Sequence, residues 1–177
     1  MVRTFLGNMF FLKIHKIPDV KLKWLQIRTV HRILATNVVL KEMGIATTDK
    51  CTLCSERDSI EHIFWNCMYA EQFWNKFEEL LNMKCTTVVN FKFTKSLVLF
   101  GTEKCVKTDT VFDLLLLLGK WYLYKCKMDK SVPQISVFKR HLMSRYKIEE
   151  YNARLKNTLF NFELKWFQYK PIFMEEN

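Results

Sequence analysis

The chain has 177 residues, 49% of them hydrophobic and 15% aromatic, which is enough to bury a core and too apolar for a disordered segment. Only four glycines and three prolines favour long helices over a sheet with many tight turns, so the expected fold class is all-α. The net charge of +10 biases the chain toward polyanions without naming one, and no apolar run reaches the roughly 20 residues of a membrane span.

Residues 1–17 read as an N-terminal extension. They carry Arg3, Lys13, His15 and Lys16 and lack a small-residue cleavage pattern, so a secreted protein is not expected. The expectation is an intracellular location, in nucleus or cytoplasm, where the cysteines stay reduced and are not a disulfide framework.

Pro18 and Asp19 open the first helix, in which Trp24, Ile27, His31, Leu34 and Val38 recur at helical spacing and read as one apolar stripe. His31 inside that stripe reads as a hydrogen-bonded core residue. Arg28 and Arg32 fall off it, one turn apart, and two uses are open to them: gripping phosphate or forming a solvated face. Thr36 suits the N-cap of a short helix through Met43, closed by Gly44.

Cys51, Cys54, His62 and Cys67 follow at once. Two thiols separated by two residues, then an imidazole and a third thiol, make the Cys3His set that tetrahedral zinc takes in closed structural sites. A redox dithiol is the other use of Cys-x-x-Cys, but no strand precedes Cys51 to give it a thioredoxin-like setting. Asp58, Ser59, Ile60 and Glu61 resemble a capping box that starts a helix just before His62. On an ideal α-helix His62 and Cys67 lie about 140° apart, so that first turn has to be distorted if both are to reach one metal. The expected architecture is therefore an irregular helical domain with a zinc-stapled loop between two amphipathic helices.

The second of these helices carries Ile63, Ala70, Trp74, Phe77 and Leu81 as its apolar stripe and runs to about Met83. The domain reading places a helical zinc-binding module at 18–83 and a C-terminal helical part, packed on it, at 84–177. Periodicity weakens over 84–109, where Phe91 and Phe93 alternate like an extended piece and 97–100 resembles one turn ended by Gly101. A helix over 110–127 is apolar nearly all round and should be central. After Pro133 a long helical pattern with Met143, Tyr146, Ala153, Phe160, Leu164 and Phe167 on its stripe is decorated by Lys139, Arg140, Lys147, Arg154 and Lys165, with a possible break near Lys147. Cys85, Cys105 and Cys126 read as small buried hydrophobes and not as metal ligands.

The order Trp24, Gln26, Arg28, His31, Arg32, Leu34 and Thr36, then Leu40, Gly44, the Cys51/Cys54/His62/Cys67 quartet and Phe73–Trp74, resembles the C-terminal zinc-binding segment of LINE-type non-LTR retrotransposon reverse transcriptase polyproteins. The likeness extends more loosely to Trp166. It implies a module downstream of the polymerase, with that quartet as zinc ligands, helping to hold RNA or DNA and meeting other parts of the polyprotein. The polymerase's adjacent Asp-Asp pair and the endonuclease domain have no counterpart, so no catalytic residues are expected. Membrane partners are not expected.

Two functional classes stand at this level: a non-catalytic, zinc-dependent nucleic-acid-binding module, and a structural or protein-interaction domain in which zinc supports the fold. For the first, Arg28, Arg32, Lys139 and Arg140 are the candidate phosphate contacts. An autonomous enzyme is the weakest class, because no nucleophile–base set or Gly-rich phosphate loop stands out and a four-ligand zinc is closed to substrate.

Overall fold

A computed structural model describes residues 19–85, 91–101 and 110–174. Their regular structure is helical, with no strand among the described residues and one isolated antiparallel bridge between Lys50 and Arg57. The all-α expectation holds. Pro18 and Cys105 lie outside the described residues. The chain divides into two compact units: residues up to Glu71 together with Thr94–Val132, and Gln72–Phe93 together with the chain from Pro133 on.

In the first unit, helix α1 (Val20–Val30) starts at Asp19, whose carboxylate accepts the Lys21 and Leu22 N–H groups at 3.0 and 3.4 Å. Its buried face is Leu22, Leu25, Gln26 and Thr29. This corrects the stripe read from sequence: Trp24 is 55% exposed, His31 is exposed, and the helix ends before Leu34 and Val38. The helix stops because Arg32 takes φ 58°, so that Ile33 N–H reaches back to Arg28 O at 2.9 Å and Arg32 N–H to Thr29 O at 3.2 Å. That paired return is the Schellman closure, here without the glycine that usually announces it. Leu34, beyond the turn, is buried on its own account.

Helix α2 (Asn37–Glu42) is capped as expected, with Thr36 Oγ1 accepting Val39 N–H at 3.3 Å. Gly44 at φ +72° ends it, Ile45 N–H closing on Leu40 O at 2.8 Å. A π-helical turn (His62–Asn66) leads into α3 (Met68–Lys84). Helix α4 (Lys95–Phe100) is capped by Thr94 and ended by Gly101 at φ 85°. Helix α5 (Thr110–Met128) is the central element, packed on α1 and on the π turn. It buries Val111, Phe112, Leu114–Leu117, Tyr122 and Leu123, and with them two lysines, Lys120 and Lys127. No helix among the described residues is long and apolar enough to cross a membrane.

The second unit joins the later part of α3 to α6 (Ile135–Leu155) and α7 (Leu159–Trp166). Phe73 and Phe77 meet Phe138 edge-on at ring separations of 5.1 and 5.2 Å, and Phe93 lies 4.8 Å from Trp74. Helix α6 runs through Lys147 without a break. It ends instead at Asn157, φ 53°, where Thr158 N–H returns to Ala153 O at 2.8 Å. The register then shifts: Phe162 and Trp166 are buried against Tyr146, while Phe160, Leu164 and Phe167, expected on the apolar stripe, are exposed. A single helical period cannot be carried across a left-handed residue, and this corrects the reading of that stripe.

Candidate metal centre

The loop that carries the first two thiols is closed by its own backbone. Cys51 N–H donates to Glu56 O at 2.6 Å, Ser55 N–H to Cys51 O at 3.0 Å, and Ser55 turns through φ 63°. Leu53 N–H points at Cys51 Sγ, 3.4 Å away, so the tight turn aims amide donors at a sulfur that is to carry negative charge.

The other two ligands come from a helix entry. Ser59 Oγ accepts the His62 N–H at 3.1 Å, so Ser59, one residue later than expected, caps this start. The expected box does not form. Asp58 turns its carboxylate to Asn37 N–H at 2.6 Å and to the Lys127 ammonium at 3.1 Å, and Glu61 pairs with Arg32 at 2.7 Å. From His62 the chain widens to a π turn, closed by Cys67 N–H on His62 O at 2.9 Å. An i to i+5 bond brings residue 67 nearly over residue 62, which removes the angular mismatch of an α-helix. Cys67 then leaves the turn with extended backbone, and its sulfur faces the amides of Tyr69 and Ala70 in the first turn of α3.

The four ligand atoms of Cys51, Cys54, His62 and Cys67 lie within 4.8 Å of one another. Cys54 Sγ is 3.2 Å from His62 Nε2 and 3.8 Å from Cys67 Sγ. A tetrahedron with zinc–sulfur bonds of about 2.3 Å has sulfur–sulfur edges of about 3.8 Å, so the donor spacing suits zinc. Burial pushes the Cys67 thiol up to about 12, with Cys51 and Cys54 adding repulsion, and burial raises Cys51 as well. Burial lowers the His62 imidazole and keeps it neutral, with a lone pair to give. A divalent metal bound here would convert the thiols to thiolates and release their protons.

A family model described as zinc-binding in reverse transcriptase matches residues 8–74. The match is to a zinc-binding domain. It contains all four cluster residues and no catalytic domain, and zinc is the cofactor of this centre. No curated protein matches the chain. Zinc here would be held by Cys51, Cys54, His62 and Cys67, and it would supply cross-linking of the loop to the π turn; with four protein donors, no position stays open for a substrate.

The other expected site residues are not among the four that cluster. Arg28 is exposed on α1, whereas Arg32 lies beyond the helix end and is paired with Glu61, so the two do not form the expected ridge on one helix. In α6, Arg140 is exposed and Lys139 half-buried. Cys85 and Cys126 are buried and are not members of the quartet.

Two buried lysines escaped the sequence reading. Lys120 is fully buried, donating to Gln26 Oε1 and to Leu99 O at 3.2 Å, and lies 5.0 Å from the centre of the Phe64 ring in the π turn. Burial lowers its ammonium to about 7. Lys127 pairs with fully buried Asp58 and reaches Ala35 O at 3.3 Å and Asn37 Oδ1 at 3.4 Å. Their seven-residue spacing puts both on one face of a helix that also buries Leu114–Leu117, and that spacing is the available signal.

Proposed function

We propose that this chain is a non-catalytic, zinc-stapled module that binds nucleic acid, of the kind carried at the C-terminus of LINE-type non-LTR retrotransposon reverse transcriptases. The observation that supports it is the sorting of charge. Asp58 is buried, and Asp49, Glu61, Glu149 and Glu150 are partly covered and each held by a cation. Exposed cations therefore outnumber exposed carboxylates among the described residues, giving a field that attracts phosphate.

The test is fluorescence anisotropy on zinc-loaded protein with RNA and duplex DNA across a salt series. Binding should weaken steeply as salt rises, with a log–log slope of about 0.7 to 0.9 for each phosphate contact. Arg28→Ala and Lys139→Ala should lower affinity alike for all sequences, because phosphate contacts carry no base information. Absence of binding at low salt would sink the reading.

The second reading, a zinc-stabilised protein-interaction domain, is favoured by one feature: Phe160 and Leu164 on α7 and Phe167 at its C-cap stand 72, 62 and 81% exposed. Other parts of a reverse transcriptase polyprotein are the partners it points to. It gains if Phe160→Ser/Phe167→Ser abolishes a protein contact while nucleic acid is never bound.

A further inference from the structure

Helix α6 buries Phe138, Leu142, Tyr146 and Ala153 on one side. On the opposite side, Arg140, Ser144, Lys147, Tyr151 and Arg154 follow one another at intervals of four, three, four and three residues, and all five are exposed. That spacing keeps them on one face, in a ridge about 21 Å long at 1.5 Å per residue. Tyr151 stands 64% exposed in the middle of the cations, with Ile148 and Leu155 beside it at 60 and 65%. Neither Arg140 nor Lys147 pairs with a carboxylate among the described residues. Glu150 takes Arg154 at 2.7 Å, and Glu149 is held on the other side of the helix by Arg145, Lys165 and the Trp166 indole.

We infer that this face of α6 is a platform for single-stranded nucleic acid, with Arg140 and Lys147 on phosphates and the Tyr151 ring stacked on an unpaired base. The inference rests on the nucleic-acid reading above and adds a place and a strand state to it. The ridge lies outside residues 8–74, the stretch that the zinc-binding family model matches. Charge complementarity selects the phosphate backbone, and the aromatic ring selects the strand state. Base faces in a duplex are covered by their neighbours, so a tyrosine set between cations gains from stacking only where bases are unpaired. Stacking is also indifferent to sequence, because every base presents a π face.

The experiment uses the full zinc-loaded chain with labelled single-stranded RNA and DNA 12-mers and with the duplex of the same sequence. Tyr151→Ala should weaken single-strand binding by about 5- to 150-fold, the factor that corresponds to one lost base stack, while Tyr151→Phe should retain it. Duplex affinity should not respond to Tyr151→Ala. Arg140→Ala and Lys147→Ala should each flatten the single-strand salt slope by about 0.7, and Lys76→Ala, an exposed cation on α3, should not change the preference for single strands. Because Tyr151 is exposed, circular dichroism and zinc content should match the wild type in every variant. If the wild type binds no nucleic acid, the broader reading fails and this one with it. If it binds and Tyr151→Ala leaves single-strand affinity unchanged, the platform alone is overturned. Tighter binding to phosphatidylserine–phosphatidylcholine vesicles than to single strands, lost in Tyr151→Ala, would assign the face to a membrane surface and also overturn it.

Discussion

The buried pair between Asp58 and Lys127 offers the sharpest test of what holds the metal loop in place. Asp58 is 0% exposed; one carboxylate oxygen receives both the Lys127 ammonium at 3.1 Å and the Asn37 N–H at 2.6 Å, and the other has no hydrogen-bond partner. Asp58→Ala should leave the Lys127 ammonium buried with only Ala35 O and Asn37 Oδ1 nearby. Removing one partner of a buried pair costs about 3 to 5 kcal/mol, and losing the acceptor at the start of α2 adds about 1 kcal/mol, so about 4 to 6 kcal/mol is expected. Lys127→Met should cost about 3 to 5 kcal/mol by leaving a buried carboxylate unpaired. The double variant has neither charge to strand and should lose much less than the sum of the singles, with a coupling of about 3 kcal/mol. Urea unfolding of all four proteins at one fixed free zinc concentration measures the cycle, since bound metal contributes to apparent stability by mass action. Additivity within about 0.5 kcal/mol would refute the argument and reduce the pair to a contact without energetic consequence.

Cys54→Ser and His62→Ala should each lose the metal together with helical content, because structural zinc contributes on the order of 10 kcal/mol to folding in finger peptides; a folded, full-length protein shown by metal analysis to lack zinc would contradict this. Cys85→Ala and Cys126→Ala should keep full zinc content, at a cost in stability from two small buried side chains; metal loss in either would mean that the quartet is wrongly assigned. Lys120 holds its proton less firmly folded, at about 7, than at its ordinary 10.5, so between these values the unfolded chain binds the extra proton and stability should rise with pH. At about 1.4 kcal/mol per unit, the wild type should gain about 3 kcal/mol over Lys120→Met between pH 7 and 9.5, and parallel urea midpoints for the two proteins across that range would exclude it.

The zinc quartet could be read from the sequence because ligand chemistry restricts residue type and spacing tightly, and the all-α class because so few turn residues are present. Thr36 and Gly44 could be read for a local reason: the cap side chain and the left-handed glycine act within their own few residues. Arg32 and Asn157 mark where the reading stopped working. At Arg32, Gly44, Lys130 and Asn157 a helix ends in the same left-handed return, but only the glycine carries the strong signal. An arginine at such a position costs conformational energy that surrounding packing has to offset, and packing is not visible in a local pattern. A helical period continued across these points is out of phase beyond them, so Phe160, Leu164 and Phe167 are exposed where one unbroken period would bury them. The Asp58–Lys127 pair lies 69 residues apart in sequence, and no helical period reports a partner at that distance.

The metal, the two lysines and the π turn answer one problem of the fold. A segment with His62 and Cys67 five residues apart must hold a widened turn against the tendency to relax into an α-helix, which would swing the cysteine about 140° from the histidine. Zinc would hold the two ends of the turn. Its middle is held from α5, where the Lys120 ammonium lies over the Phe64 ring. The loop before it is held by Lys127, through Asp58, at the start of α2. Burying two ammonium groups is costly for a unit of this size unless each has acceptors fixed in advance, and Gln26, Leu99, Ala35 and Asn37 are those acceptors. The polar residues inside this first unit thus serve to specify one arrangement of the metal loop. A zinc with four protein ligands has no open position, so the phosphate and base contacts proposed above would fall to side chains that the fold leaves in solvent, among them Arg140, Lys147 and Tyr151.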